Sequence, residues 1–277
     1  MAPRSAFLKL QMSTLPCALR KVIPAPAIEN HQEYENKYVH QVYEATAGHF
    51  SHTRSRTWPA VLRFCQSLDF GTILVDCGCG NGRNMLLCPG IIEVGIDYSS
   101  NLCTIAMQEL LEKAHERCGN AYAIIRGDIL SLPMLSGTVD AIICIAVIHH
   151  LSTRERRQHA FSEIYRVLRP AGKALITLWA REQGDGELPS EALIPWRSQP
   201  RNQHHKITMT EIFTPVTDTE PSLKNPTLSV QRYYHLYSQD EALQDAEQAG
   251  FRIEKCVLDS GNWTLTLLRP TAGTVPQ

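Results

Sequence analysis

The stretch Leu74-Val-Asp-Cys-Gly-Cys-Gly-Asn-Gly82 decides the fold of this chain. It starts as an apolar run, passes through an aspartate at position 76, and ends in a turn that holds three glycines. Glycine has no Cβ, so its backbone reaches positive φ angles and lets a ligand approach closely. A strand that runs into such a turn is typical of nucleotide-binding α/β folds. We therefore predict a cofactor loop where the first strand of a parallel sheet gives way to a helix.

Short apolar runs and helical stretches alternate around this loop. Strands that are buried on both faces of a parallel sheet are almost continuously apolar, and two late runs joined by the turn formers of residues 259–262 predict an antiparallel hairpin. We therefore predict a Rossmann-like α/β fold with a mostly parallel seven-stranded sheet, helices on both faces and a C-terminal antiparallel hairpin. The predicted strands are residues 72–75, 91–96, 121–125, 141–147, 174–178, 251–258 and 263–268.

Helix ends are marked by capping patterns. Ser152 followed by Glu155, and Ser238 followed by Glu241, have the spacing of a capping box, in which a serine side chain caps the first turn. Gly250 is suited to end the second of these helices.

Composition limits the function classes. The 277 residues include 43% apolar residues and carry a formal net charge of -1, so no global field draws the protein to nucleic acid. The cysteine count is nine; it is odd, and no second Cys/His pair stands at zinc spacing near Cys77 and Cys79, so we predict no metal site and a reducing compartment. No apolar run approaches the roughly 20 residues that span a membrane.

We predict a single domain over residues 31–270, with a tail at 271–277. Residues 1–30 are basic and contain no acid before Glu29, as in a transit peptide, but four prolines favour a disordered leader. Residues 184–230 are polar and rich in proline, which predicts a long insert that is either disordered or functional.

Three acids accompany the glycine loop. Asp76 would suit an ammonium group and repel a pyrophosphate, Asp97 at the end of the next strand can accept ribose hydroxyls, and Asp128 follows the third strand. This order matches class I methyltransferases and favours S-adenosylmethionine over a dinucleotide, although each acid alone could cap a helix. The predicted cofactor-binding residues are Asp76, Gly78, Cys79, Gly80, Gly82, Asp97, Tyr98, Asp128, Ile129 and Ala146.

Five stretches narrow the substrate. They are Tyr38-Val-His-Gln-Val-Tyr43 with His49-Phe-Ser-His-Thr-Arg54 and Trp58-Pro59, the cofactor loop, Ile145-Ala-Val-Ile-His-His-Leu-Ser-Thr-Arg-Glu-Arg-Arg157, Arg232-Tyr-Tyr-His235, and Gly261-Asn-Trp263. Together they resemble the eukaryotic tRNA wobble-uridine carboxymethyl methyltransferases, in their stand-alone form. The resemblance runs from about residue 33 to 268 and implies that 5-carboxymethyluridine is esterified. Leu151 departs from it, because an aromatic residue is expected there.

A carboxylate nucleophile is already ionised at neutral pH, so no strong general base is required. The enzyme must instead position the carboxylate and hold its charge with hydrogen-bond donors. We predict His150 as such a donor, with His149 and Arg54 as further catalytic residues. The alternatives are that the histidines cap or pack under a helix and that Arg54 lies in a solvated loop.

Other residues are predicted to bind the substrate. The arginines at 154, 156 and 157 start a helix, where they oppose its dipole; they either bind phosphate or are solvated. The tyrosines at 233 and 234 belong to a strand, so at least one of them must face the core. The predicted substrate-binding residues are Arg56, Trp58, Trp179, Tyr233, His235 and Asn262.

The resemblance also implies partners. These are a tRNA substrate and a small zinc-binding methyltransferase activator, which would form a heterodimer at a sheet edge around residues 121–125. It implies a cytoplasmic protein, with the nucleus as a second location. Two other functions remain open at this point: a methyltransferase for a small carboxylic acid or lipid, and a non-catalytic relative that binds RNA or a partner.

Overall fold

The computed structural model describes residues 23–24, 28–53, 56–116, 120–183, 186–198, 214–215 and 228–271. Seven of the strands in these residues form a sheet in the order β12-β13-β6-β5-β2-β3-β4, which is parallel from β6 to β4 and antiparallel at β13 and β12. In chain order the strands are β1 (Ile23–Pro24), β2 (Ile73–Cys77), β3 (Ile92–Asp97), β4 (Tyr122–Arg126), β5 (Val139–Ile145), β6 (Leu168–Trp179), β7 (Glu182–Gln183), β8 (Gly186–Glu187), β9 (Glu191–Ser198), β10 (Thr214–Pro215), β11 (Leu228–His235), β12 (Arg252–Asp259) and β13 (Asn262–Leu268).

Helices cover both faces of this sheet because alternate residues of each strand point to opposite faces. Val75 of β2 belongs to a buried cluster with Phe161, whereas its neighbour Leu74 packs with Val61 and Phe64. The predicted α/β fold is thereby confirmed. The helices are α1 (His31–Glu35), which continues through a π-helical turn (Asn36–His40) into α2 (Gln41–Thr53), α3 (Pro59–Gln66), α4 (Ser100–Glu116), a 3-10 turn (Ile148–His150), α5 (Arg154–Val167) and α6 (Gln239–Gln248).

A second, antiparallel sheet has the order β1-β9-β11-β10. The N-terminal helices cover it: Val42 packs with Trp196 and Val230, and Tyr34 packs with Leu193. We call residues 31–53 together with β9 and β11 the cap. The segment predicted as a long insert therefore contributes strands β9 and β11 to an ordered layer, and Ile23–Pro24 of the predicted leader pairs with β9. Residues 1–22, most of 199–227 and the tail 272–277 lie outside the described residues.

One predicted helix start is shifted by a residue. The N-cap of α5 is Thr153, whose hydroxyl accepts the amide of Arg156 at 3.2 Å. The capping pattern predicts Ser152 for this role, but the amide and hydroxyl of Ser152 both donate to Glu35 of α1 at 2.7 Å. The cap of α6 at Ser238 is confirmed.

The C-terminal hairpin is confirmed. Ser260 and Gly261 both have positive φ, 51° and 74°, as a two-residue turn between twisted strands requires. In the described part of the chain, no helix is both long and apolar enough to cross a membrane.

Candidate functional site

A cavity of about 410 Å³ opens where the carboxyl ends of strands β2 to β6 meet the cap. Parallel sheets of this kind bind ligands at that edge. The sheet side of the cavity consists of the loops that follow the strands, with their glycines and aspartates. The cap side consists mostly of aromatic side chains. The sheet side includes Gly78, Gly80, Asp97, Asp128 and Ala146, and the cap side includes His40, Tyr43, Phe50 and Tyr234.

The glycine loop is tied to the next strand. The carboxylate of Asp97 accepts the amide of Gly80 through Oδ2 and the amide of Ser99 through Oδ1, both at 2.9 Å. Gly78 has a φ of 78°, and a Cβ added to it would lie 2.2 Å from Cγ2 of Val147. Glycine avoids this clash and leaves the loop backbone facing the cavity without a side chain.

The carboxyl group of Asp76 is buried inside the protein, just behind this loop. Its side chain is 2% exposed, and neither oxygen accepts a hydrogen bond from any described residue. Burial, with a smaller contribution from Glu93, raises the pKa of Asp76 to about 8. A buried carboxyl without a donor is costly, so the position fits a ligand that brings its own positive group, as the ammonium of S-adenosylmethionine would.

The predicted cofactor residues fall into two groups. Seven line the cavity, and Ala146 among them holds a strained positive φ of 62° at the strand end, a feature common at functional sites. Asp76, Cys79 and Gly82 do not line the cavity and support the loop from behind. A Cβ added to Gly82 would contact Ala106 and Leu110. The lining residues are Gly78, Gly80, Asp97, Tyr98, Asp128, Ile129 and Ala146.

His150 lines the cavity, but it is not the free donor that the sequence predicts. Its Nδ1 lies 2.8 Å from the carbonyl of Tyr233, so Nδ1 carries the proton, and its Nε2 lies 2.9 Å from the hydroxyl of Tyr43 and accepts from it. Burial lowers the pKa of His150 to about 3. Both nitrogens of a neutral ring are therefore used inside the protein, because the cap reaches over the 3-10 turn.

His149 is different. Its Nδ1 accepts the backbone amide of Trp179 at 3.1 Å, which places the ring proton on Nε2. That Nε2 is buried and has no partner in the described residues, and burial holds the pKa of His149 well below its ordinary value. His149 thus offers a neutral, unmatched donor beside the cavity that it lines.

Aromatic rings form the wall opposite the glycine loop. Trp179 and Tyr234 stack with ring centroids 4.4 Å apart and an interplanar angle of 19°, and both line the cavity. Asn262 is paired with Trp179 across the sheet and also lines the cavity. Its Nδ2 donates to the carbonyl of Ser260 at 2.9 Å, while its Oδ1 is buried and accepts nothing from the described residues.

Two predicted substrate residues point away from the cavity. Tyr233 is fully buried against Tyr34, and its hydroxyl donates to Glu191. His235 lies between Glu191 and Glu241, at 2.8 and 2.9 Å. Strand alternation turns Tyr234 toward the cavity and both of these residues to the opposite face of β11. The structure therefore brings Tyr234 to the cavity in place of Tyr233 and His235, which the sequence analysis names as substrate-binding residues.

The arginine predictions have mixed outcomes. Arg54 lies outside the described residues, and Arg56 is exposed and does not line the cavity, whereas Trp58 does. The three arginines at the start of α5 are engaged in ion pairs instead of being available for phosphate: Arg154 with Asp245, Arg156 with Glu35, and Arg157 with Glu241.

Several site residues are absent from the sequence prediction. His40 and Tyr43 both line the cavity, and His40 stacks on Tyr98 at 3.8 Å. Like Arg232, they appear in the sequence analysis only inside a quoted motif, Tyr38-Val-His-Gln-Val-Tyr43. Their spacing of three places them on one face of the helical segment that contains them. Arg232 enters the prediction only as part of a motif; its Nη1 donates to the hydroxyl of Tyr43 at 3.3 Å.

Comparisons with known proteins identify relatives of the chain. Residues 75–176 match the family model described as a methyltransferase domain. The chain is 35% identical over 237 residues to a tRNA (carboxymethyluridine(34)-5-O)-methyltransferase of Schizosaccharomyces pombe, covering 83% of this chain and 96% of that protein. It is 31% identical to the protein of the same name from Saccharomyces cerevisiae, covering 83% and 95%. A mouse relative of that name is 35% identical, and the chain spans only 35% of its length.

Solved structures share the fold. A Burkholderia thailandensis 1,6-didemethyltoxoflavin-N1-methyltransferase superposes with a TM-score of 0.61 at 14% identity, covering 90% of this chain and 95% of that one. The methyltransferase in a complex with the Haloferax volcanii Trm112 activator gives a TM-score of 0.53 at 14% identity, covering 83% and 98%. At these identities the likeness concerns the fold alone.

Proposed function

Because the chain belongs to the family of tRNA (carboxymethyluridine(34)-5-O)-methyltransferases, we propose that it esterifies the carboxymethyl group of 5-carboxymethyluridine at the tRNA wobble position. S-adenosylmethionine supplies the methyl group as an electrophile on sulfonium sulfur. The product is 5-methoxycarbonylmethyluridine.

The observation that carries this proposal is that the two histidines after β5, His149 and His150, are neutral and unsuited to act as bases. The third histidine of the cavity, His40, is stacked on Tyr98, on the cofactor side. His150 uses both ring nitrogens within the protein, and the accepting nitrogen of His149 is occupied by the amide of Trp179. Methylation of an amine or a hydroxyl needs a group that takes up a proton. A carboxylate needs none, since it is ionised at neutral pH. The site is therefore best matched to a carboxylate nucleophile that it positions and shields from water.

The sheet side of the cavity suits the cofactor. Gly78 and Gly80 leave room for it along the backbone, Asp97 would accept the ribose hydroxyls, and Asp128 would face the adenine amino group. Asp76 would balance the ammonium group from below. These roles follow the order of the acids along the sheet edge.

The ring wall suits the base. A uracil can stack on the Trp179–Tyr234 pair, as flipped bases do on aromatic side chains. Its ring N3–H needs an acceptor and its carbonyl oxygens need donors. Two buried atoms beside these rings have no hydrogen-bond partner in the described residues and could fill these roles. Oδ1 of Asn262 can accept a hydrogen bond, and Nε2–H of His149 can donate one. Arg56 and Arg54, near Trp58 in the chain, would contact tRNA phosphates.

A partner subunit would complete the enzyme. Strand β4 forms one edge of the seven-stranded sheet, which is the place expected for the small zinc-binding activator. A methyltransferase of similar fold was solved in complex with the Haloferax volcanii Trm112 methyltransferase activator. An isolated chain that is soluble, monodisperse and fully active would contradict this partner. We assign the protein to the cytoplasm, with the nucleus as a second location, because tRNA is found in both.

The test of the function is a methyl-transfer assay. The chain is co-expressed with the activator and given labelled S-adenosylmethionine and tRNA from cells that lack the wobble methyl ester. We expect a base-labile methyl ester on the wobble uridine by nucleoside mass spectrometry, lost in Asp97→Ala and retained in the control Asp69→Ala, whose residue is exposed. Cofactor binding with unmodified tRNA would leave the small-acid enzyme or the non-catalytic relative.

A further inference from the structure

Two buried arginines of this protein have opposite surroundings. Arg157 is 3% exposed and donates to the carboxylate of Glu241 at 3.1 Å and to the carbonyl of Leu151 at 3.2 Å. Arg232 is 6% exposed, and no carboxylate in the described residues pairs with it. A buried guanidinium normally has an acidic partner, because taking an unpaired charge out of water is costly.

The surroundings of Arg232 consist of aromatic rings and tyrosine hydroxyls. Its guanidinium lies over Trp196 at 4.3 Å, over Tyr234 at 5.2 Å and over Tyr43 at 5.9 Å. Nη1 donates to the hydroxyl of Tyr43, and Nε is buried without an acceptor in the described residues. Cation–π contacts recover a part of the hydration that the charge has lost. Nε of Arg157 is unmatched in the described residues as well, so the feature that distinguishes Arg232 is the missing carboxylate. The site therefore holds a positive charge that fits an anion.

The charge is next to the cavity. Tyr43 and Tyr234, the two tyrosines that Arg232 contacts, both line it. Arg232 and Tyr234 are two residues apart on β11, so their side chains leave the same face of the strand, the one turned toward α2 and the cavity. An anion placed between the two tyrosines would reach the guanidinium without a change of fold.

We propose that Arg232 is the residue that recognises the negative charge of the substrate: the carboxylate of the carboxymethyl group accepts hydrogen bonds from its guanidinium, between the rings of Tyr43 and Tyr234. This inference rests on the proposed function. It makes Arg232 the residue that distinguishes a carboxymethyl group from a neutral group of the same shape. The hydroxyl of Tyr43 and the ring of His150 hold the guanidinium in position by a chain of hydrogen bonds that ends on the carbonyl of Tyr233.

The reaction limits what such a cation can do. The carboxylate oxygen forms a bond to the methyl carbon and loses its charge, while the electron pair of the broken methyl–sulfur bond remains on sulfur and no proton moves. A cation beside the carboxylate consequently stabilises the substrate more than the transition state. Arg232 should act mainly on substrate binding and selectivity, so its loss should raise KM much more than it lowers kcat.

The test compares binding of three anticodon stem-loops that differ at one uridine. The full chain with its activator binds loops carrying 5-carboxymethyluridine, the neutral 5-carbamoylmethyluridine, or uridine, in the presence of S-adenosylhomocysteine so that no turnover occurs. The variants are Arg232→Met, Arg232→Gln and Arg232→Lys. Arg157→Met is the matched control, because it removes a buried arginine that does have an acidic partner.

We expect the unmodified enzyme to prefer the carboxymethyl loop over the carbamoylmethyl loop by about 10- to 100-fold, the range for a charge-assisted hydrogen bond. Arg232→Met and Arg232→Gln should reduce that preference to about 3-fold or less, and Arg232→Lys should keep most of it. Arg157→Met should lower the melting temperature and leave the preference unchanged. Cofactor affinity should stay within about 2-fold in every Arg232 variant that folds.

Two results would overturn the proposal. A uniform loss of affinity for all three loops would assign Arg232 to phosphate binding, and an unchanged preference in the neutral variants would assign it to packing. If Arg232→Met does not fold, the contrast between the Gln and Lys variants decides the matter. Failure of the proposed function has a different signature: the unmodified enzyme would show no methyl transfer to the carboxymethyl loop, whatever its binding preference.

Discussion

The two sides of the cavity are built in different ways. The cofactor side consists of strand ends and glycine backbone, and its acids hold that backbone in place: Asp97 accepts two amides of neighbouring loops. The cap side consists of side chains from distant segments, such as Tyr43 of α2, His150 after β5 and Arg232 of β11, which meet in one chain of hydrogen bonds. The cofactor side depends on backbone shape and the cap side on side-chain chemistry. Substitutions should therefore affect the two sides separately.

The largest effect is expected from Gly78→Ala. The new Cβ would lie 2.2 Å from Cγ2 of Val147, at a φ of 78°. Either the loop or Val147, which also lines the cavity, must move. Overpacking of this kind costs about 1–3 kcal/mol, and a left-handed residue other than glycine costs about 1–2 kcal/mol more. We expect S-adenosylmethionine affinity, measured by calorimetry, to fall by about 100-fold while tRNA affinity is retained.

Gly137→Ala is the matched control for this change. Gly137 has a similar φ of 70°, but nothing lies within 4 Å of the added Cβ. It carries the same backbone cost, about 1–2 kcal/mol, without the clash. If both variants lose cofactor affinity equally, backbone strain rather than loop shape is responsible, and the contrast between the two sides is weakened.

The next largest effect should appear on the cap side. Tyr43→Phe removes the hydroxyl between Arg232 and His150 and leaves a buried cation and a ring nitrogen without that partner. A hydrogen bond to a charged group contributes about 1.5–3 kcal/mol, so kcat/KM for tRNA should fall by about 10- to 100-fold. Cofactor affinity should not change. Tyr165→Phe is the control, since Tyr165 packs against Phe251 and does not line the cavity. A loss of cofactor binding in Tyr43→Phe would contradict the division.

The difference between the cofactor side and the cap side also explains which parts of the site could be predicted from the sequence. The glycine loop and the acids at the carboxyl ends of β2, β3 and β4 are local patterns. A continuous apolar run identifies a buried strand without reference to its partners. The start of β6 is less well predicted. The strand begins at Leu168, in a stretch with Pro170 and Gly172 where the register with β5 shifts.

The cap side could not be predicted in the same way. Tyr233 and Tyr234 look alike in the sequence, and only the pairing of β11 with β9, about 40 residues away in the chain, decides which of them faces the cavity. His150 looks like a free catalytic histidine until Tyr43, which is 107 residues earlier, occupies its Nε2. The roles of such residues depend on long-range contacts that no local pattern contains.

A smaller effect concerns the proton of Asp76. Its pKa of about 8 lies above the unfolded value of 3.8 because of burial, so the carboxyl is largely protonated at pH 7 in the free enzyme. An ammonium group beside it favours the ionised form. Cofactor affinity should therefore rise with pH between about 6 and 8, by up to about 10-fold per unit, with release of one proton. Calorimetry in two buffers of different ionisation enthalpy measures this release. Asp76→Asn should abolish it, and proton release that persists in this variant would exclude Asp76 as its source.

The smallest effect concerns the protonation of His150 and is measured as a change in stability. Its pKa is about 3 in the folded protein, against 6.5 for an unperturbed histidine of the unfolded chain, because burial disfavours the charged ring. As pH falls below 6.5, the unfolded chain takes up a proton that the folded protein does not, so the free energy of unfolding should decrease by up to about 1.4 kcal/mol per pH unit until pH 3. Denaturation curves between about pH 7 and 5 should show a shallower decrease in His150→Gln, whereas replacing the exposed His52 of α2 should leave the slope unchanged. Equal slopes in all three proteins would mean that the cap opens in acid and lets the ring reach water, so the hydrogen bond between Tyr43 and His150 would not hold the cap closed.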